Sequence, residues 1–162
     1  MIWNLINFIF KIFGKINFSS EKKNWSVALE SSKSYEDNTI VERIIKTYEQ
    51  IENFNFEFYE RDGFLFEQKL DETDLLNFLT ENIKPGKFLE VLDFGGSLGS
   101  RYFSNYNFIN KNNINWNVVE QKNFTTYGKK KLQKKNLQFY YGIDECLKTK
   151  SIDCAIFSDS LQ

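Results

Sequence analysis

The pattern of apolar and polar residues divides the chain into a helical first part and a second part built from buried strands. Apolar residues recur at helical spacing between 40 and 51, which indicates an amphipathic helix. Residues 88–94, 114–119, 137–141 and 152–157 are instead short, nearly continuous apolar runs. Such runs are typical of strands buried on both faces of a parallel sheet. The order predicts an α/β fold with a mostly helical N-terminal cap.

A glycine-rich turn follows the first apolar run. That run ends at Asp93, and residues 94–99 read Phe-Gly-Gly-Ser-Leu-Gly. Glycine permits positive φ and allows a ligand to lie against the backbone. Helical spacing predicts one helix directly after the glycines, carrying Leu98, Tyr102, Tyr106 and Ile109. Strand, glycine turn and helix together form the nucleotide-type cradle of a doubly wound sheet.

The spacing of the glycines distinguishes between kinds of nucleotide turn. Two of the three glycines of a dinucleotide fingerprint are serine here, and no phosphate loop of the Gly-x-x-x-x-Gly-Lys-Ser/Thr kind occurs. The pattern acidic-x-Gly-x-Gly-x-Gly fits at Asp93, Gly95 and Gly99. Ser97 takes the place of its middle glycine, and Gly96 is an additional one. This stretch resembles the first motif of S-adenosylmethionine-dependent methyltransferases; the alternative is a strand-to-helix turn that holds no ligand.

Polar residues also stand where the later strands end. Glu120 follows the second strand, where such folds hold ribose hydroxyls, and the alternative is an exposed helix-capping glutamate. Asp144 follows the third strand, where adenine contacts often arise; an exposed acidic helix start is the alternative. Ser158 and Asp159 follow the fourth strand and are further candidates to line the site, whereas Asp153 at its base is predicted to be structural.

Composition excludes several classes of function. The 162 residues suit one domain, and a net charge of −1 gives no reason to expect nucleic acid as a partner. The chain has no histidine, so imidazole general bases and histidine-containing metal sites are excluded, and no metal is expected. Cys146 and Cys154 lack Cys-x-x-Cys spacing and indicate reduced thiols of a cytoplasmic protein.

Residues 1–16 form an apolar segment with one narrow polar stripe, made by Asn4, Asn7, Lys11 and Lys15. The segment is shorter than the roughly 20 residues that span a bilayer. It also lacks the features of a secretory signal. Exposing so many large apolar side chains would be costly. We therefore expect the helix to be covered, and three interpretations stay open: docking on its own domain, an in-plane anchor at the inner membrane face, or a partner protein.

Turn signals divide the remaining chain. Phe54, Phe56 and Phe58 alternate with polar residues, and Asp62-Gly63 followed by 64–66 predicts a hairpin. A helix is expected over the apolar residues 75–79, ended by Pro85-Gly86. The predicted organisation is an amphipathic helix (1–16), a cap region (17–86) and a cofactor-binding core (87–162).

Several short pieces of the chain together resemble a known family, the methyltransferases encoded among bacterial surface-polysaccharide genes. The pieces are Trp25-x-x-Ala28, Arg61-Asp62-Gly63, Leu92–Gly99, Trp116 with Val119-Glu120-Gln121, and Ser160-Leu161-Gln162. The resemblance implies a Rossmann-like methyltransferase core and an S-adenosylmethionine site at Asp93–Gly99 and Glu120. It also implies a small-molecule or glycan acceptor, such as a surface-polysaccharide precursor. It supplies no catalytic residue.

The last predicted strand departs from that family, whose sheet has more strands than the four predicted here. With the strand order 3-2-1-4, residues 152–157 would form an edge strand without proline and with a single charge. We therefore expect a core truncated after the fourth strand, and either self-association through 152–157 or a longer protein that pairs there. A non-catalytic binding or scaffold module on the same fold is the alternative function.

Overall fold

The structure is a computed structural model that describes residues 23–31, 38–53, 59–61, 63–67 and 71–157. Contacts divide the chain into two units, residues 1–34 and 35–162, and the predicted boundary at Pro85-Gly86 lies within the second. In the first unit, helix α1 (Trp25–Ser31) begins after Asn24, whose Oδ1 accepts the N–H of Val27 at 3.0 Å.

Several sequence predictions lie outside the described residues: the helix at 1–16, the strand at 54–58, and the candidate site residues Ser158 and Asp159.

The cap region contains two helices and a hairpin. Helix α2 (Asn38–Asn53) is the predicted amphipathic helix, and its buried face carries Val41, Ile44, Tyr48 and Ile51. Strands β1 (Tyr59–Arg61) and β2 (Phe64–Phe66) pair antiparallel, with Gly63 at a φ of 77° in the turn between them. Helix α3 (Thr73–Asn82) ends before Pro85. Both predicted helices and the hairpin strand at 64–66 are confirmed, and the strand that pairs with it is 59–61.

The second half of the chain contributes four parallel strands. They are β3 (Leu89–Phe94), β4 (Ile114–Val119), β5 (Leu137–Tyr140) and β6 (Cys154–Phe157). Across the sheet their order is β5-β4-β3-β6, which reads 3-2-1-4 when these four strands are numbered along the chain. The prediction of an α/β fold with a parallel sheet is therefore confirmed.

The connections between the strands are short helices. Between β3 and β4 the structure has α4 (Ser100–Ser104) and α5 (Tyr106–Lys111), so the single helix predicted there was wrong. Asn105 separates the two helices with a φ of −113° and a ψ of 21°, and its side-chain Nδ2 donates to the carbonyl of Arg101 at 3.0 Å. Asparagine side chains compete for backbone hydrogen bonds in this way.

Two further helical connections follow. Helix α6 (Lys122–Tyr127) continues as a π-helical turn over Gly128–Leu132, and α7 (Ile143–Leu147) lies between β5 and β6. Asp144 therefore lies in the first turn of a short helix.

The two faces of the sheet are covered unequally. One face packs on a large cluster that joins side chains of α2 and α3 to the strands, including Tyr48, Leu79, Val91 and Trp116. The other face carries a smaller cluster of Leu92, Val119, Tyr140 and Cys146. Within the part of the chain that the structure describes, no helix has both the length and the apolar character needed to cross a membrane.

Candidate functional site

In the turn between β3 and α4, every second residue has a positive φ. Gly95, Ser97 and Gly99 have positive φ values of 74°, 53° and 85°. Glycine adopts this region readily, whereas a serine there costs on the order of 1 kcal/mol, and such strain concentrates at functional sites. The N–H of Gly95 donates to the carbonyl of Val119 at 2.9 Å, and that of Gly99 to the carbonyl of Gly96 at 2.9 Å. One hydrogen bond thus connects the turn to the end of β4, and the other connects two residues within the turn.

The position of Gly96 leaves no room for a side chain. A Cβ added there would lie 2.6 Å from Oδ2 of Asp93 and 2.7 Å from its Cγ. Contacts this short require a neighbour to move, and Asp93 is fully buried under the turn. Glycine is therefore required at 96 because the backbone crosses directly over the carboxyl group of Asp93.

Asp93 is a buried carboxyl group with spare hydrogen-bonding capacity. Its Oδ2 accepts a hydrogen bond from Nε1 of Trp116 at 3.0 Å. Among the described residues its Oδ1 has no hydrogen-bond partner, and Nη1 of Arg101 stands 3.8 Å away. Burial raises the pKa of Asp93 to about 6, although the Trp116 hydrogen bond and the Arg101 charge act to lower it. A perturbed, incompletely paired group at the end of a strand is typical of a functional site.

Glu120 meets the turn from the neighbouring strand. Its Oε2 accepts the backbone N–H of Ser97 at 3.0 Å, and its Oε1 accepts the N–H of Gln121 at 2.8 Å. Each carboxylate oxygen has a second lone pair, so Glu120 can still accept hydrogen bonds from a ligand. The structure therefore brings Glu120 together with five other predicted site residues: Asp93, Gly95, Gly96, Ser97 and Gly99.

The side chain of Ser97 also points to this turn as the candidate site. Three buried side-chain atoms of the described residues lack a hydrogen-bond partner, and two of them, Oγ of Ser97 and Oδ1 of Asp93, belong to this turn. Buried polar atoms are normally paired, so an unpaired one needs a reason. Two of them in one turn are consistent with a ligand that supplies the missing partners.

Asp144 is less closely associated with the turn. It lies in the first turn of α7 and is exposed. No hydrogen bond between described residues joins its carboxylate to the glycine turn. The alternative interpretation, an exposed acidic helix start, agrees with this position.

The residues that surround Asp93 were not predicted from the sequence. Nε of Arg101 donates to Oε1 of Glu72 at 3.0 Å, and Nδ2 of Asn105 to Oε2 of Glu72 at 2.5 Å. Glu72 precedes α3 and contacts a helix that follows β3. No pattern of residue spacing in the sequence predicts this contact. Trp116 could have been found, because an indole N–H on a buried strand needs an acceptor.

An open cleft lies beside Arg101, between the start of α3 and the carboxyl end of β6. Its volume is about 380 Å³, within the range of roughly 300–1,000 Å³ of small-molecule sites. The strand order reverses between β3 and β6, and open parallel sheets bind ligands outside the carboxyl ends of the strands at this reversal. The cleft and the glycine turn therefore lie on the same edge of the sheet.

Comparisons with known proteins identify no family. The chain matches no protein-family model, no curated protein and no solved structure. In the described ranges, no group of three or more histidine, cysteine, aspartate or glutamate side chains is arranged to hold a metal ion.

Proposed function

We propose that this chain binds S-adenosylmethionine at the carboxyl ends of β3 and β4 and belongs to a methyltransferase-type domain. The observation that carries the proposal is the contact between Glu120 and the backbone N–H of Ser97 at 3.0 Å. It joins a carboxylate suited to ribose hydroxyls to a glycine-rich turn that is exposed at Gly95.

The charges around the turn favour this cofactor over a nucleoside diphosphate. Burial raises the pKa of Asp93, and the charges of Glu72 and Glu120 raise it further, so three carboxyl groups share one region. A diphosphate would be repelled by these carboxylates, whereas the positive sulfonium group is attracted to them. Arg101 lies 3.0 Å from Glu72 and 3.8 Å from Asp93, so its charge is shared with those two groups.

The residues present fit a reaction in which the cofactor brings the chemistry. S-adenosylmethionine supplies an activated methyl group, so the chain must mainly bind and orient the two reactants. Glu120 would hold ribose hydroxyls, and the turn at Gly95–Gly99 would lie along the cofactor. A chain without histidine can perform these roles.

Titration calorimetry of the full chain with S-adenosylhomocysteine, the demethylated product, tests the proposal. We expect binding, and Glu120→Ala should weaken it at least about tenfold because hydrogen bonds to a charged group are worth about 1.5–3 kcal/mol. Glu120→Gln keeps an acceptor for Ser97 and should lose less, which guards against a folding defect. Glu49→Ala, an exposed change on α2, is the control. No heat from a folded sample would overturn the proposal.

A non-catalytic binding module is the second candidate. The hairpin favours it, because Phe64 and Phe66 are 56% and 47% exposed, and exposed apolar patches often mark interaction surfaces. Incubation of the chain with a cell-envelope extract and S-adenosylmethionine labelled in the methyl group separates the two candidates. Labelled product favours the enzyme; tight cofactor binding without labelled product favours the module.

A further inference from the structure

A buried carboxylate of the hairpin reaches the start of α4. Glu60 lies on β1 and is 7% exposed. Its Oε1 accepts the backbone N–H of Gly63 at 2.7 Å, within the hairpin, and its Oε2 accepts the hydroxyl of Ser100 at 2.6 Å. Distances this short are typical of charge-assisted hydrogen bonds, which are stronger than those between neutral groups. Glu60 therefore connects the hairpin to Ser100, the first residue of α4.

The hydroxyl of Ser100 is held from two sides. It accepts a hydrogen bond from the phenol of Tyr48 on α2 at 2.9 Å, in addition to the one that it donates to Glu60. Burial and the charge of Glu60 raise the pKa of Tyr48 well above its usual value, so the phenol keeps its proton and acts as the donor. Two buried side chains from different elements thus fix the position of Ser100.

Ser100 is also the residue at which the glycine turn passes into α4. Gly99 precedes it with a φ of 85°, and none of the described side chains caps the helix there. The carbonyl of Gly99 accepts the N–H of Phe103 at 3.0 Å, and the N–H of Gly99 donates to the carbonyl of Gly96 at 2.9 Å. A displacement of Ser100 would therefore move Gly99 and, through that hydrogen bond, Gly96.

We infer that Glu60 is a positioning residue for the glycine turn, which it holds through Ser100 in the conformation that binds the cofactor. The effect on the cofactor rests on the proposed function, whereas the effect on the conformation of the turn does not. The hairpin, which belongs to the cap region, thereby supports the site at the carboxyl end of β3.

Two variants distinguish support of the turn from docking of the hairpin. Glu60→Gln keeps the size of the side chain. The N–H of Gly63 can only donate, so the amide oxygen must face it, and the amide nitrogen then faces Ser100, which loses its acceptor. Thr47→Val removes the hydroxyl that donates to the carbonyls of Arg43 and Gly63, each at 3.0 Å, and so loosens the same hairpin without touching Ser100.

The first measurement needs no ligand and uses the full chain with ¹⁵N-labelled glycine. In Glu60→Gln the amide signals of Gly63, which donates to residue 60, and of Gly99 should both shift. Thr47→Val should shift the signal of Gly63 and leave that of Gly99 in place. An unmoved Gly99 signal in Glu60→Gln, or an equal shift of it in Thr47→Val, would overturn the inference.

Calorimetric titration with S-adenosylhomocysteine extends the test to the proposed function. Glu60→Gln and Ser100→Ala should each weaken binding at least about threefold, and the double variant no further, because both act through one hydrogen bond. Ser100→Thr, which keeps the hydroxyl, should bind within about twofold of the wild type, as should Thr47→Val.

The two measurements separate this inference from the proposed function. If the wild type does not bind the ligand but the Gly99 signal shifts as expected, the proposed function fails and the support of the turn stands. If the wild type and Glu60→Gln bind equally well, the inference fails and the proposed function stands.

Discussion

The two carboxylates of β3 lie three residues apart on opposite faces of the sheet and have very different surroundings. Glu90 accepts hydrogen bonds from Nδ2 of Asn115 at 2.7 Å and from Nδ2 of Asn117 at 2.9 Å, and pairs with Nζ of Lys150 at 3.4 Å. Asp93 accepts one hydrogen bond, at Oδ2, and in the described part of the chain its Oδ1 has no hydrogen-bond partner, only the charge of Arg101 at 3.8 Å.

We interpret this difference as one between a structural carboxylate and the carboxyl group of the proposed ligand site. At the amino end of the strand, donors from three residues satisfy the side-chain carboxylate of Glu90. The backbone N–H of Glu90 in turn donates to the carboxylate of Asp153 at 2.9 Å. The predicted structural role of Asp153 agrees with that contact. At the carboxyl end, where parallel sheets bind ligands, Asp93 is left incompletely paired under a strained turn. We therefore expect changes at Glu90 to affect stability alone, and changes around Asp93 to affect ligand binding as well.

The largest effect is expected from Gly96→Ala. Its Cβ would lie 2.6 Å from Oδ2 of Asp93, so the free energy of unfolding should fall by about 3 kcal/mol, and binding of S-adenosylhomocysteine should be lost. Gly142→Ala is the matched control, because no atom lies within 4 Å of its Cβ and its φ is −171°. Urea denaturation and calorimetry on both variants give the comparison. Equal effects of the two changes would show that Asp93 does not confine the turn.

Asp93→Asn should change how stability depends on pH. Between about pH 4 and pH 6, the unfolded carboxyl group is already ionised, while the folded one, with a pKa of about 6, still holds its proton. The folded state then binds more protons, so this group makes stability fall as pH rises through that window. The variant should match the wild type near pH 4 and exceed it by at most about 3 kcal/mol near pH 7.5.

The pH dependence of that difference is the decisive part of the experiment. Thermal unfolding of both proteins across the same buffers measures it. The charge of Arg101 favours the ionised form of Asp93 and is already contained in that pKa, so it makes the slope between pH 4 and 6 smaller without changing its sign. A stability difference that stays constant over this range would contradict the raised pKa of Asp93.

Much of this arrangement could be predicted from the sequence, and the parts that could not share one cause. The strands and the glycine turn follow from short-range patterns, because burial and glycine geometry act within a few residues. Glu120 could be predicted because the carboxyl ends of neighbouring parallel strands meet at one edge. The partners of Asp93 come from α4 and β4, and Glu72 comes from before α3. Such contacts depend on packing between elements and leave no periodic signal.

The next variant removes Glu90, the structural carboxylate, and so tests the amino end of β3. Glu90→Ala leaves the amides of Asn115 and Asn117 and the ammonium of Lys150 without their shared acceptor. The free energy of unfolding should fall by about 2 kcal/mol, while the affinity for S-adenosylhomocysteine should stay within about twofold. Urea denaturation and calorimetry measure the two quantities. A clear loss of affinity in folded protein would break the division between the two ends of β3.

The smallest effect is expected from Trp116→Phe. The change removes the one hydrogen bond to Oδ2 of Asp93 and keeps most of the buried ring volume. It should destabilise the protein by about 1 kcal/mol near pH 7.5 and by less near pH 4, because a hydrogen bond to the ionised carboxylate is the stronger one. Thermal unfolding at both pH values measures it. An equal loss at both would indicate that only packing was changed.

The most direct test of the central claim, that the incompletely paired end of β3 is the ligand site, is a ¹⁵N spectrum of protein labelled at its eight glycines. Addition of S-adenosylhomocysteine should shift the amide signals of Gly95, Gly96 and Gly99. That of Gly86, which precedes the amino end of β3, should stay in place. Shifts confined to glycines outside 95–99, or none at saturating ligand, would contradict the claim.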